Sequence, residues 1–217
     1  MTGEIVLHDY WRSSASYRVR IALGLAGLDW RSVAVDLTAG AQTAPAHRAL
    51  SPQGLVPVLE IDGLVLTQSL AIIDYLEATC RLALGPEGAA DRAHSRAAAL
   101  AIAAEIHPVC NLRTVARVER LAGADVRARW MQEVISEGLA AVEAMLPEPA
   151  PHAFGDRLSL ADLCIVPQLY NARRWGVALD DLPRLTAIDA AAAHVPAVAA
   201  AHPDRARPAP ATSAPGG

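Results

Sequence analysis

Lysine is absent from the sequence, and all 19 basic side chains are arginine. Together with the alanine-rich second half this fits a GC-rich coding sequence, so the arginine count carries no functional signal by itself. Positive charge is not in surplus either: 23 acidic residues leave a net charge of -4. That excludes general nucleic-acid binding, which needs clustered positive charge. Cysteine is scarce, and Cys80, Cys110 and Cys164 are odd in number and far apart. They fit neither a disulfide framework nor metal-ligand spacing, so the expectation is reduced thiols, no metal and a cytoplasmic location. No uninterrupted apolar run approaches the roughly 20 residues that span a bilayer. A basic segment followed by an apolar stretch and cleavage site is also missing, so neither a membrane partner nor export is expected. Aromatic residues make up only 4%, which leaves the core to aliphatic side chains.

What is present suffices for a proper core. The 217 residues are 53% hydrophobic, enough for one large domain or two small ones. Residues 4–10 and 31–37 read as strands on either side of a helix that starts near residue 14, a βαβ unit. A polar segment, 38–48, reads as a loop with a short helical turn. Two apolar runs, 55–61 and 64–66, flank Asp62-Gly63, a strong hairpin signal, and a helix follows over 67–79. Pro57 stands at a strand start, where proline is tolerated. Locally the trans form is expected before it, since only about 5–6% of X–Pro bonds are cis in folded proteins. Gly85-Pro86-Glu87-Gly88 reads as a linker. Beyond it lie helical patterns over roughly 91–120, 124–146, 159–174 and 183–201. Ser159 and Asp162 form a capping box framed by Leu158 and Leu163. The Pro/Ala/Ser-rich end reads as disordered.

The first turn has the most chemistry. Between the first strand and helix lie Arg12, Ser13, Ser14 and Ser16. Serine hydroxyls there can cap free helical N–H groups or face a ligand. The helix N-terminus favours negative charge, and Arg12 adds a full positive one. The combination suits a bound thiolate or carboxylate.

The order βαβ, loop, ββα, linker and all-helical half resembles the soluble glutathione transferases. Arg12-Ser13-Ser14-Ala15-Ser16-Tyr17-Arg18-Val19-Arg20 is similar to the zeta-class signature, the class of maleylacetoacetate and maleylpyruvate isomerases. Val56-Pro57, Gln68-Ser69, Ile106-His107-Pro108 with Asn111 and Arg113, and Ala172-Arg173-Arg174-Trp175 follow in the family's order. The resemblance implies an α/β plus all-α fold. A thioredoxin-like glutathione-binding domain would cover 1–84, a linker 85–91, a helical substrate-binding domain 92–203 and a disordered tail 204–217. It also implies glutathione as cofactor, a cis Val56–Pro57 bond and a homodimer.

By the same resemblance Ser13, with Ser14 second, would donate to the glutathione sulfur beside Arg12. Val56, Pro57, Gln68, Ser69, Gln42, His107 and Asn111 would hold the rest of the cofactor. Capping and structural roles remain open for Ser13, Ser14, Gln68, Ser69 and His107. Arg12, Arg113 and Arg174 would take the carboxylates of a diacid, for which planar, always-charged arginine is suited. Arg173 and Arg174 lie about 100° apart on a helix, so one of them faces away. Ala15 stands where the zeta signature usually has cysteine, which leaves the cofactor thiol as the nucleophile. The implied activity is cis–trans isomerisation of an unsaturated keto diacid in aromatic or tyrosine breakdown. The alternatives are a general transferase conjugating or dehalogenating small electrophiles such as 2-haloacids, and a non-catalytic binding protein of the same fold.

Overall fold

The computed structural model describes residues 3–79, 81–123 and 125–207; Cys80 and residues 208–217 lie outside them. The chain divides into two compact units, one running to Tyr75 and taking the chain back from Ala200, the other spanning Leu76–Ala199.

In the first unit the opening apolar run forms β1 (Val6–Asp9), followed by α1 (Ser14–Leu25) and β2 (Arg31–Ala34). β1 pairs parallel with β2 and antiparallel with β3 (Val58–Ile61), which pairs antiparallel with β4 (Leu64–Thr67). The strand order is β2-β1-β3-β4, the expected βαβ and ββ halves joined on the inner strands. Asp62 and Gly63 both take positive φ (55° and 77°), as a two-residue type I′ turn requires. The 38–48 segment holds a 3-10 turn (Ala41–Thr43) and leads into α2 (Pro45–Leu50). Val56–Pro57 is cis, against the local preference for trans and in accord with the resemblance. Pro57 precedes β3 rather than sitting inside it, so no ladder bond is lost.

Every residue of α1 from Ser16 to Leu23 is buried. More than two turns of consecutive burial leave no solvent face, so Arg18 and Arg20 had to be taken inside. Arg20 Nη1 donates to both carboxylate oxygens of Asp9, at 2.9 and 2.7 Å. Its Nη2 reaches Trp11 O and its Nε reaches Ala201 O, each at 3.0 Å. One buried guanidinium thus ties the end of β1, the following turn and the returning chain together. α11 covers Pro203–Ala206, so the start of the tail expected to be disordered over 204–217 is helical, while the rest of that expectation, 208–217, lies outside the described residues. Proline at the first helical position has its φ preset and no N–H to leave unsatisfied.

In the second unit α4 (Ala89–Leu100) passes through a π-helical stretch, Ala101–Ile106, into a single turn, α5 (His107–Val109). The sequence suggested one helix over 91–120. Pro108 prevents it, because its ring crowds the carbonyl four residues back and it has no N–H. The chain widens ahead of it, with the His107 N–H bonded to Ile102 O, and restarts as α6 (Leu112–Ala122) under an Asn111 cap. α7 (Val126–Met145) buries Met131, Ile135, Leu139 and Val142, one stripe of an amphipathic helix. Gly138 sits on that helix against Ile106, where a Cβ would lie 2.4 Å from Cγ1 and 2.5 Å from Cδ1.

α8 (Leu160–Arg174) is the buried axis of the unit. Its capping box forms as expected: the Ser159 N–H and hydroxyl both donate to Asp162 Oδ2, at 2.7 and 2.6 Å. Asp162 Oδ1 accepts from Ala153 N, and Ser95 Oγ of α4 accepts from Ala161 N. Burial pushes the Asp162 carboxyl up, against the donors that pull it down. α9 (Pro183–Ala193) is capped from α7, with Glu143 accepting from the Arg184 and Leu185 amides, both at 2.9 Å. Pro196 then starts α10 (Pro196–Ala200), dividing the expected 183–201 helix. The Gly85–Pro86 bond is cis, and Gly85 N donates to Leu158 O beside the capping box.

Candidate active site

The first turn is built by β1 stopping at Asp9 and α1 starting at Ser14. Ser13 is the N-cap, and its hydroxyl oxygen accepts from Ser16 N at 3.2 Å. That bond uses a lone pair, so the hydroxyl keeps its proton to donate elsewhere. Ser13 is half-buried and Ser14 is buried at 8% exposure. Arg12 folds over its neighbours: Nε and Nη2 donate to the Tyr10 hydroxyl at 3.2 and 2.7 Å, and Cζ lies 4.8 Å from the Trp11 ring centre. Hydrogen bonds from Thr38 and Ala39, aided by the Arg12 charge, hold the exposed Asp36 carboxyl below its usual range.

The start of α3 (Ser69–Ala78) supplies a second anion-favouring point in the same unit. Ser69 is buried, and Arg18 Nη1 donates to its Oγ at 3.3 Å. A helix N-terminus with a guanidinium against its first side chain is a strong carboxylate site. Sequence reasoning missed Arg18, although a charged residue inside the run Tyr17–Leu23 was the available signal. Gln68 has φ +69°, and its Nε2 donates to Gln53 Oε1 at 2.7 Å. The left-handed region is uncommon for such a residue, and outliers of this kind collect at ligand clamps. Among the described residues Gln42 Oε1 is buried without a hydrogen-bond partner. A buried acceptor left open costs stability, and a ligand N–H would relieve it. Gly54, with φ +63°, leaves only 3.0 Å between Gln42 O and a would-be Cβ.

The second unit carries the remaining candidates. His107 opens α5, and Asn111 Oδ1 accepts from Arg113 N at 3.0 Å, a capping role. The side chains of Arg113 and Arg174 are exposed. Arg173 Nη1 is bound to Asp189 Oδ2 at 2.7 Å, whereas Arg174 stands 6.0 Å from the Tyr170 ring centre. The Arg173 pair holds α8 to α9. Cys110 is buried, and burial pushes its thiol up to about 11, which makes it a poor nucleophile at neutral pH. Among the described residues no group of His, Cys, Asp and Glu gathers to hold a metal, and no helix is long and apolar enough to cross a membrane.

Comparison with known proteins places these features in a family. The glutathione S-transferase N-terminal domain matches residues 12–79, and the C-terminal domain matches 113–199. A maleylacetoacetate isomerase from Rhizobium meliloti is 59% identical, over 96% of this chain and 100% of that protein. A holo structure of maleylpyruvate isomerase, a bacterial zeta-class glutathione S-transferase, superposes with a TM-score of 0.89 at 38% identity, covering 92% of this chain and 97% of the other. Maleylacetoacetate isomerase from Anaeromyxobacter dehalogenans, with glutathione bound in its active site, gives a TM-score of 0.85 at 39% identity over 93% and 96% of the two chains. The chain belongs to the glutathione S-transferase family, in its zeta class of maleylacetoacetate and maleylpyruvate isomerases.

Proposed function

We propose that this protein is a glutathione-dependent cis–trans isomerase of an unsaturated keto diacid, maleylacetoacetate or maleylpyruvate. The observation that carries the reading is the Ser13 cap, a hydroxyl that accepts from Ser16 N–H and still has a proton to donate. Glutathione, when bound, would supply a thiolate nucleophile for reversible addition to the substrate double bond, the chemistry that permits rotation about it. Ser13 donates to that sulfur, and the α1 N-terminus with Arg12 favours its negative charge. Ser14, buried behind the cap, is the second candidate for this role.

The α3 start and Arg18 suit the glutamyl carboxylate at Ser69, with Gln68 beside it. The Val56 backbone before Pro57 pairs with the cysteinyl part. Gln42, with its open acceptor, and His107 with Asn111 serve the glycyl end. Arg12, Arg113 and Arg174 take the two carboxylates of the diacid. Cys110 and Cys164 are buried and in no disulfide among the described residues, which suits a reducing cytoplasm. A homodimer is proposed on the edge strand β4, where Leu64 and Val65 are 45% and 47% exposed, and light scattering tests it.

The test of the activity is direct. Purified protein is mixed with maleylpyruvate or maleylacetoacetate, and loss of the cis enol absorbance is followed with and without glutathione. Turnover that requires glutathione is expected. Turnover in its absence, or none with either diacid, overturns the proposal.

A further inference from the structure

Arg207 lies in the segment that returns to the first unit, and its Cζ is 5.1 Å from the Trp11 ring centre. Arg12 Cζ lies 4.8 Å from the same ring. The two guanidinium carbons are therefore at most about 10 Å apart, the sum of the ring distances, roughly one Debye length at 0.1 M salt. Among the described residues neither side chain is in an ion pair. Arg12 spends two of its nitrogens on the Tyr10 hydroxyl, and among the described residues the Arg207 guanidinium makes no hydrogen bond.

This placement is held from inside. Arg20 donates to Ala201 O at 3.0 Å, the Tyr17 and His202 rings meet edge to face at 6.1 Å, and Pro203 is buried. Arg20 also grips Trp11 O, so one buried residue sets the ring and the arm that reaches it. Two like charges on one indole repel; the Asp36 carboxylate is within electrostatic reach of Arg12, and a further anion held by both guanidinium groups relieves the repulsion.

We propose that Arg207 is a specificity-determining residue: with Arg12 it forms a two-guanidinium clamp on Trp11 that takes one carboxylate of the diacid substrate. The proposal rests on the reading of Arg12 as a substrate-binding residue, and it adds a cation from the far end of the chain to the first turn. Arg207 is not among the residues proposed to hold glutathione, so an Arg207 substitution should act on the diacid and not on the cofactor.

Steady-state kinetics of the full-length Arg207→Gln, Arg207→Lys and Arg12→Gln variants test this, with maleylpyruvate and glutathione varied in turn at low and high salt. Loss of one charge-assisted contact is expected to raise KM for the diacid about tenfold in Arg207→Gln, with KM for glutathione unchanged. Lysine restores the charge without the planar fork, so Arg207→Lys should fall between, and the salt dependence of the diacid KM should shrink in Arg207→Gln. An Arg207→Gln variant with wild-type diacid KM, alongside an impaired Arg12→Gln, overturns the clamp and leaves Arg12 in place. Wild-type values in both variants overturn the reading of Arg12 itself. Equal rises in both KM values, or a lowered melting temperature, would make Arg207 a structural residue and also overturn the clamp.

Discussion

Replacing Gly138 by alanine should destabilise the protein even though alanine is the better helix former. The propensity gain alone is about 0.8–1.0 kcal/mol. Against it stands the buried Ile106 side chain, with Cγ1 and Cδ1 at 2.4 and 2.5 Å from the new methyl carbon. Carbon pairs rest at roughly 3.5–4.0 Å, so the overlap exceeds what a small shift absorbs. Over-packing of this kind costs about 1–3 kcal/mol, so the net loss after the propensity gain should be up to about 2 kcal/mol. For a chain of this size that is a fall in Tm of up to roughly 8 °C. Ile106→Ala alone should cost about 2–5 kcal/mol by opening a cavity. In that background the clash is gone, and Gly138→Ala should now stabilise by about 1 kcal/mol. A double-mutant cycle by thermal and urea unfolding reads the change of sign directly. If Gly138→Ala raises the wild-type Tm, or lowers it equally in the Ile106→Ala background, the close approach of these helices is wrong.

Other outcomes follow from the same packing and charge arguments. Asp9→Asn leaves the Arg20 charge buried without its carboxylate, and breaking such a pair costs about 3–5 kcal/mol; urea unfolding checks it, and a loss near zero would count against the network. Gln68→Gly removes the left-handed strain, worth roughly 1–2 kcal/mol, against roughly 0.5–1 kcal/mol of glycine entropy. Its stability should stay level or rise while KM for glutathione increases, and a clear drop in Tm would show that the strain is absent. Cys110→Ala should keep full glutathione-dependent turnover. Because burial raises the Cys110 thiol from 9.0 to about 11, the unfolded chain ionises first, and wild-type stability falls as pH climbs from 9 towards 11. The alanine variant should lose less over that window, and equal losses would remove the thiol as the cause.

The sequence carried the outline of the fold through local signals. The Asp62-Gly63 turn, the Ser159–Asp162 box and the alternation of apolar runs each name their element by their own chemistry. Helix ends were read poorly where the deciding residue acts on its neighbours: Pro108 widens the turn before it, and Pro196 splits a run that composition alone would continue. The serine-bearing turn, Gln42, Gln68 and Ser69 were legible as residues. What surrounds them was not. Arg18 and Arg20 stand out in sequence only by sitting in an apolar run, and their burial is plain only once α1 is seen to have no solvent face; the positive φ of Gln68 leaves no mark in composition. Arg207 is nearly two hundred positions from Trp11 in sequence, and only the path of the returning chain brings them into contact.

The central claim is that the first turn polarises a borrowed thiol. An ultraviolet difference titration of glutathione bound to the wild-type protein, to Ser13→Ala and to Ser14→Ala measures this directly. The bound thiol should ionise well below its free value of about 8.5 in the wild type, and return towards that value in Ser13→Ala but not in Ser14→Ala. A bound thiol that titrates like free glutathione in the wild-type protein would contradict the account.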